Sequence, residues 1–374
     1  MIYFLIFDTD SKNIVPRKLN TMADSNFVLS DLLRSNIRNI TPYSTARDEY
    51  QGVALVNLDA NENSFGSVGN GNYNRYPDPY QLDLKHVVSK IKNIPIDQIF
   101  LGGSGSDEGI GLLYTAFCEP GIDNAIVCPP TYGMYGVSAE IHNTPCKKVP
   151  LTADFQLQAD KVIAAMDNHT KLTWICSPNN PSGNSYDREA IRKVVKAAKG
   201  IVVIDEAYID FSSEKSWKEE LPNYPNLVVL QTFSKAWGLA NCRLGMMFAS
   251  KEIIAVINKI KLPYNMNGMM QKYACEILSK FASQKDDYVK EILEEREKLI
   301  PALQAIPSVK KVFPSDANFL LVKIDNAHEV YKYLVKEGII VRDRTKVSLC
   351  EDCLRITVGT AKENALLIQK LKEL

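Results

Sequence analysis

Four short apolar runs constrain this chain of 374 residues more than any other feature. Ala125–Cys128 (AIVC) closes on Pro129 and Pro130, and Leu172–Cys176 (LTWIC) closes on Ser177 and Pro178. Ile201–Ile204 (IVVI) ends at Asp205 and Glu206, and Leu227–Gln231 (LVVLQ) ends at Thr232. Each run is apolar on consecutive residues and stops at polar or turn residues, the pattern of a parallel strand buried on both faces. Between them lie stretches of helical period, Gly105–Phe117, Asp160–Met166 and Arg188–Ala198. This alternation predicts an α/β fold with a mostly parallel central sheet flanked by helices. Polar residues cluster at the carboxyl ends of the runs, where open parallel sheets bind ligands.

The texture changes after about Lys251. Met269–Ala305 reads as one long charged helix, kinked near its end by Pro301. Strand-like VKKVFP and NFLLVKI follow, then a helix over Ala327–Glu337, strand-like IIVR and LRITV, and a last helix from Lys362. These predict a smaller α+β domain. Lys plus Arg and Asp plus Glu balance at 44 each, so no charge bias points to nucleic acid or a membrane surface. No run approaches the roughly 20 apolar residues that span a bilayer. The opening MIYFLIFDTD has neither a basic start nor a small-residue cleavage site, which argues against a signal peptide. Met22 offers an alternative start, and residues 1–21 read as a disordered or non-native extension. Cys350 and Cys353 form a lone CxxC, with no second pair or histidines at zinc spacing. The four histidines form no HxxxH or HExxH, so no metal site is expected. The 8 cysteines are expected as thiols in a cytoplasmic protein.

The chemistry-bearing stretches sit at the strand ends. In TFSKAWGLANCRLG, residues 232–245, Lys235 can be partly desolvated, which lowers an ammonium's pKa and favours the nucleophilic amine. A surface lysine in a loop is the plainer alternative. Thr232, Ser234 and Arg243 suit a phosphate dianion. Asp205, at the end of a buried run, needs a cation or a proton. A protonated pyridine nitrogen is such a cation, and holding it charged makes the ring an electron sink. Tyr208 lies three residues on, within reach of a ring oxygen. A magnesium-binding Asp would instead need a GxxxxGK[ST] loop, which the chain lacks. In SPNNPSG, residues 177–183, Asn180 can donate to the same ring oxygen, although the stretch alone also fits a surface turn. GGSGSDE, residues 102–108, leads into a helix whose N-terminus favours an anion. Glu108 replaces the third glycine of a dinucleotide fingerprint, so a single phosphate is expected. In PPTYG, Tyr132 either stacks on a flat ring or fills the core.

The ordered set GSDE, PPTYGMY, SPNNPSG, DEAY, TFSKAWGLANCRLG and LRITVGT resembles the fold-type I aminotransferases. Within them it looks most like the histidinol-phosphate aminotransferases. Thr41-Pro42-Tyr43, Leu58–Asn63 (LDANEN) and Asn74–Asp78 (NRYPD) extend the likeness, which covers roughly residues 28–374. The resemblance implies an aspartate-aminotransferase-like fold and pyridoxal 5'-phosphate as cofactor. Lys235 would form the Schiff base and then move the proton, Asp205 would pair with the pyridine nitrogen, and Tyr208 and Asn180 would contact the ring oxygen. Tyr132 would stack on the ring. Ser106, Asp107, Thr232, Ser234 and Arg243 would hold the cofactor phosphate, joined by Tyr76 across a homodimer interface. Asn61, Arg342 and Arg355 would meet substrate, Arg355 taking a carboxylate and Arg342 lying near a substrate phosphate. The implied division is an N-terminal segment of the small domain at 22–69, a large cofactor-binding domain at 70–260 and a small domain at 261–374. The implied reaction is amino transfer between histidinol phosphate and 2-oxoglutarate. Alternatives are a threonine-phosphate decarboxylase, an aromatic aminotransferase and, against the presence of Lys235, a non-catalytic binding module. The chain departs from the family after NEN, where Ser64-Phe65-Gly66 and a Gly-rich stretch make a longer loop over 64–72, and at Ser182, where Thr is commoner.

Overall fold

The computed structural model describes residues 27–45, 54–69 and 71–374; the extension expected at 1–21 lies outside them. Helices α1 (Leu29–Leu32), α2 (Ser35–Arg38) and α3 (Leu82–Lys92) lead to strand β1 (Ile99–Gly102) and helix α4 (Ser106–Phe117). Then come β2 (Asn124–Val127), α5 (Met134–Ile141), β3 (Cys146–Lys148), α6 (Ala159–Ala165), β4 (Thr170–Cys176), α7 (Arg188–Ala197), β5 (Ile201–Asp205), β6 (Leu227–Thr232) and β7 (Gly245–Ala249). Helices α8 (Lys251–Ile260), α9 (Gly268–Lys280) and α10 (Ala282–Gln304) precede β8 (Val309–Val312), β9 (Phe319–Ile324), α11 (Ala327–Lys336), β10 (Arg342–Asp343), β11 (Cys353–Thr357) and α12 (Ala361–Lys372).

The four apolar runs become β2, β4, β5 and β6, and every residue of β5 and β6 is buried. Among the described residues they lie in a seven-stranded sheet of order β1-β7-β6-β5-β4-β2-β3. Neighbours from β6 through to β3 are parallel, while β7 runs antiparallel to both β6 and β1. The sheet is therefore mostly parallel, as the runs predict, with one reversed strand. Strands β1 and β7 escape the pattern because IFLG breaks off at glycine after three apolar residues and GMMFA is poor in β-branched residues.

The second described sheet has the order β10-β11-β9-β8 and is antiparallel throughout. Leu299 and Leu303 of α10, Leu334 of α11 and Leu367 and Leu371 of α12 bury one of its faces. The long helix expected over Met269–Ala305 is in fact two. Phe281, at φ −122°, leaves helical geometry while its N–H still bonds the Ile277 carbonyl and its own carbonyl accepts from Lys285. The apolar period runs across this corner, which is why the sequence hides it. Pro301 sits inside the last turns of α10, and the strand expected at IIVR, residues 339–342, instead starts at Arg342 and runs to Asp343.

Residues 29–37, part of the segment 22–69 expected in the smaller domain, pack on the elements of the large sheet. Leu29, Leu32 and Leu33 join the core of the large sheet. The Arg34 amide donates to the Ala116 carbonyl at 3.0 Å, and Lys259 Nζ donates to the Ile37 carbonyl at 3.4 Å. Residues 64–69 and 71–72 of the expected loop form neither helix nor strand.

Candidate active site

The carboxyl ends of β4, β5 and β6 and the start of α4 open onto one cavity of about 550 Å³, part of it open to solvent. Ser106, Asp107, Tyr132, Asn180, Asp205, Tyr208, Thr232, Ser234, Lys235 and Arg243 all line it. Register explains how segments so far apart in sequence meet. Gly245, at the start of β7, pairs with Gly102 at the end of β1 and with Thr232 at the end of β6. A side chain there is impossible, because a Cβ on Gly245 would lie 2.2 Å from the Gly105 carbonyl carbon and the Ser106 nitrogen. Gly105 itself holds φ +77°, and its N–H bonds the Arg243 carbonyl at 2.7 Å.

The floor of this end of the cavity suits an anion. Gly105 caps α4 without a side-chain acceptor, so the N–H groups of the first turn face the cavity end. Arg243, itself at φ +50°, donates to the Ser104 carbonyl at 3.2 Å, and its guanidinium lies 3.6 Å from Asp107. The Ser234 amide donates to the Thr232 hydroxyl at 3.1 Å, and Thr232 donates to the Leu244 carbonyl at 3.3 Å.

Lys235 and Asp205 supply a base and an acid of opposite setting. The Lys235 side chain is exposed to the cavity, not sunk in the core, with its Nζ 5.8 Å from the centre of the Tyr208 ring. Protein on the remaining sides, and then the charges of Arg355 and Arg243, lower its ammonium below the usual lysine range. Asp205 is 2% exposed. Burial pushes its carboxyl up to about 6, against hydrogen bonds from the Tyr135 hydroxyl at 2.7 Å and the Ala207 N–H at 3.1 Å. Both of those donors are neutral groups, so the carboxylate is ready for a cation supplied from outside the protein. Sequence reading passed over Tyr135; its one signal is the second tyrosine of PPTYGMY, three residues after Tyr132. The Tyr132 hydroxyl donates to Asp107 at 3.0 Å, which holds its ring at the cavity wall.

The SPNNPSG loop uses its two asparagines differently. Asn179 is fully buried and ties the loop together, donating to the Pro130 carbonyl at 2.9 Å and to the Ser182 hydroxyl at 2.8 Å. Asn180 faces the cavity, and its Oδ1 accepts from Arg355 Nη1. Its Nδ2 donors thus point away from the arginine. The Asn180–Pro181, Ser177–Pro178 and Pro129–Pro130 bonds are all cis. Tyr208 is 7% exposed and meets Phe319 edge-on, with centroids 5.1 Å apart; burial raises its phenol above the ordinary value.

Three arginines gather beside this wall. Arg342 and Arg355 face each other across the β10–β11 pair. Arg344, two residues after Arg342, was not singled out from sequence. Burial, then its arginine neighbours, lowers the guanidinium of both Arg344 and Arg355, and neither Nε has a hydrogen-bond partner. Like charges held this close call for an anion among them. Of the residues expected at the site, Arg342, Arg355, Tyr76 and Asn61 do not line the cavity. Tyr76 is 49% exposed and stacks on Tyr264 with centroids 4.4 Å apart, and Asn61 is exposed at φ +54°. Among the described residues there is no cluster of His, Cys, Asp or Glu fit for a metal ion and no helix long and apolar enough to cross a membrane.

An anion cup, a buried carboxylate with only neutral donors, an amine of lowered basicity and a stacking phenol together match the needs of pyridoxal phosphate. Comparison with known proteins agrees. A histidinol-phosphate aminotransferase of Cytophaga hutchinsonii is 51% identical over 92% of this chain and 99% of its own. One from Parabacteroides distasonis is 53% identical over the same shares. The crystal structure of a histidinol-phosphate aminotransferase from Sinorhizobium meliloti, in complex with pyridoxal-5'-phosphate, superposes with a TM-score of 0.74 at 23% identity, covering 84% of this chain and 89% of that one. The family described as aminotransferase class I and II matches residues 53–371, and the chain belongs to it.

Proposed function

We propose that this chain is a pyridoxal-phosphate-dependent aminotransferase that moves the amino group of histidinol phosphate to 2-oxoglutarate, giving imidazole-acetol phosphate and glutamate for histidine biosynthesis. The observation that carries this reading is the arginine group at Arg342, Arg344 and Arg355 beside the cavity of Lys235 and Asp205. A site that takes a phosphate in one half-reaction and a carboxylate in the other needs such a surplus of positive charge. Identity of 51% across nearly the whole length of a histidinol-phosphate aminotransferase supports the same substrates.

When bound, pyridoxal phosphate supplies a carbonyl that condenses with amines and a ring that withdraws electrons from the reacting carbon. The chain's own groups do the rest. The start of α4 at Ser106 and Asp107, with Thr232, Ser234 and Arg243, holds the phosphate end. Asp205 would hold a proton on the ring nitrogen, Tyr208 and the Nδ2 of Asn180 would serve as donors to the ring oxygen, and Tyr132 would pack against the ring. Lys235 Nζ is the nucleophile and then carries a proton to and from the substrate Cα. Its lowered basicity enriches the neutral amine, so the cofactor-free chain should take up pyridoxal phosphate faster as pH rises. Arg355 takes the glutamate or 2-oxoglutarate carboxylate, Arg342 the substrate phosphate, and Asn61 closes on the substrate. A homodimer completes the site, with Tyr76 of the partner subunit reaching the cofactor phosphate. Segments 70–260 and 261–374 serve as cofactor and substrate-closing domains. The free thiols at all of the cysteines suit a cytoplasmic setting.

The test offers the loaded protein 2-oxoglutarate with histidinol phosphate, threonine phosphate or phenylalanine in turn. Glutamate should form fastest with histidinol phosphate. Glutamate from phenylalanine alone would overturn the reading, and carbon dioxide from threonine phosphate would replace it with a decarboxylase. Arg342→Ala should raise KM for histidinol phosphate by about tenfold, the worth of one charged hydrogen bond, and leave KM for glutamate nearly unchanged. Equal rises in the two constants would reject the role given to Arg342.

A further inference from the structure

Tyr135 lies in the first turn of α5 and is fully buried. Its ring is flat against Trp174, with centroids 4.8 Å apart and planes 12° from parallel, and it meets Tyr132 edge-on at 5.5 Å. The Tyr114 hydroxyl donates to its carbonyl at 2.9 Å, and the Tyr114 ring stacks on the same Trp174. Ring and backbone are thus fixed, and the hydroxyl is delivered to Asp205 Oδ2 at 2.7 Å, a short bond of the charge-assisted kind. The Ala207 N–H binds the other oxygen of the same carboxylate. The carboxylate plane is therefore set from two sides, by α5 and by the loop after β5.

The other titratable groups facing Asp205 sharpen the role. Asp107 of α4 opposes its charge, and Lys235 after β6 favours it. Burial, and then the charge of Asp205 among others, makes Tyr132, Cys176 and Tyr208 weaker acids than usual, so they stay neutral beside it. Burial also holds Tyr135 well above the usual phenol range, so it keeps its proton and remains a donor. Because it also braces Tyr132, one side chain joins the group under the ring nitrogen to the group against the ring face.

We propose that Tyr135 is a positioning residue of this site, acting through Asp205: its hydroxyl aims the carboxylate and holds it as the anion that a protonated ring nitrogen requires. This role rests on the function proposed above.

Tyr135→Phe keeps the stacked ring and removes only the hydroxyl. In the loaded enzyme kcat should fall on the order of tenfold, as for a lost charged hydrogen bond, with KM for both substrates little changed. The acidic limb of the kcat–pH profile should move to higher pH. Titration of the cofactor-free chain with pyridoxal phosphate, followed by its visible absorption, should show weaker binding, and in an Asp205→Asn background the same change should no longer weaken it. A folded Tyr135→Phe enzyme with the wild-type acidic limb and wild-type cofactor affinity overturns the role. So does an equal loss of affinity in both backgrounds, which would mark a packing effect. If the Phe variant does not fold, 3-fluorotyrosine at position 135 makes a stronger donor of the same shape, and the acidic limb must move to lower pH; an unmoved limb overturns the role. A wild-type chain that binds no pyridoxal phosphate refutes the proposed function, whereas one that transaminates while Tyr135→Phe titrates identically refutes this role alone.

Discussion

Lys235→Ala should yield a folded protein whose turnover is lower by at least about 10⁴-fold. The two halves of that expectation come from different features. Lys235 is exposed to the cavity and buries no part of the core, so its truncation leaves no void, and stability should change by only about 0.5 kcal/mol. The same exposure, combined with lowered basicity, places a neutral amine where a carbonyl can reach it. No neighbour can substitute: among the described lining residues, the other cation is Arg243, a guanidinium and not an amine. The cup around Ser106 and Arg243 should still bind the cofactor, without the covalent link. Single-turnover glutamate formation, visible absorption and circular dichroism test the three parts. A variant within tenfold of wild-type turnover would remove Lys235 from the chemistry.

Asp205→Asn should change activity and stability in opposite directions. In the fold the carboxyl titrates near 6, above the ordinary value of 3.8. Between these values the folded chain binds more protons than the unfolded one, so this group's contribution to stability falls as pH rises through the window. Above about pH 6 the ionised carboxylate costs the cofactor-free fold on the order of 3 kcal/mol. Asparagine has the same shape and no charge, and its amide oxygen can accept one of the two existing hydrogen bonds. The cofactor-free variant should therefore melt at a higher temperature than wild type at pH 8, and the gap should close towards pH 4. Turnover should nevertheless drop by roughly 10²–10³-fold, the range for losing a preorganised charge opposite the reacting group. A cofactor-free variant that is less stable at pH 8 would show that the bonds from Tyr135 and Ala207 outweigh the burial penalty.

The parts of the site legible in sequence are those that lie next to a strand the sequence also reveals. Asp205 ends β5 and Lys235 lies in the turn just after β6, so the pattern that predicts the strand also locates the residue. Partnerships across the fold leave no local trace. Tyr135 and Asp205 are 70 positions apart, and Arg355 and Asn180 are 175 apart. Tyr135 thus reads as one more aromatic in an apolar helix, and Arg344 as one more charge in a polar stretch. Arg342, Arg355 and Tyr76 were nominated by family resemblance, since nothing in their immediate surroundings marks them. Fold errors have a similar origin. Phe281 interrupts hydrogen bonding without interrupting the apolar period, and β7 is reversed in a sheet whose strands otherwise share one direction.

That reversed strand has a consequence for how the protein is made. The glycine turn at 102–105 and the Thr232–Lys235 turn lie about 130 positions apart, and they become neighbours only when β7 inserts between β1 and β6. A nascent chain that has not yet released residues 245–249 holds both halves of the anion cup with nothing to set their spacing. Closing so long a loop is entropically costly and is repaid only by the full ladder on either side of β7. Cofactor capture is accordingly a late event in the life of the polypeptide, and a chain that holds pyridoxal phosphate is one whose large sheet has closed.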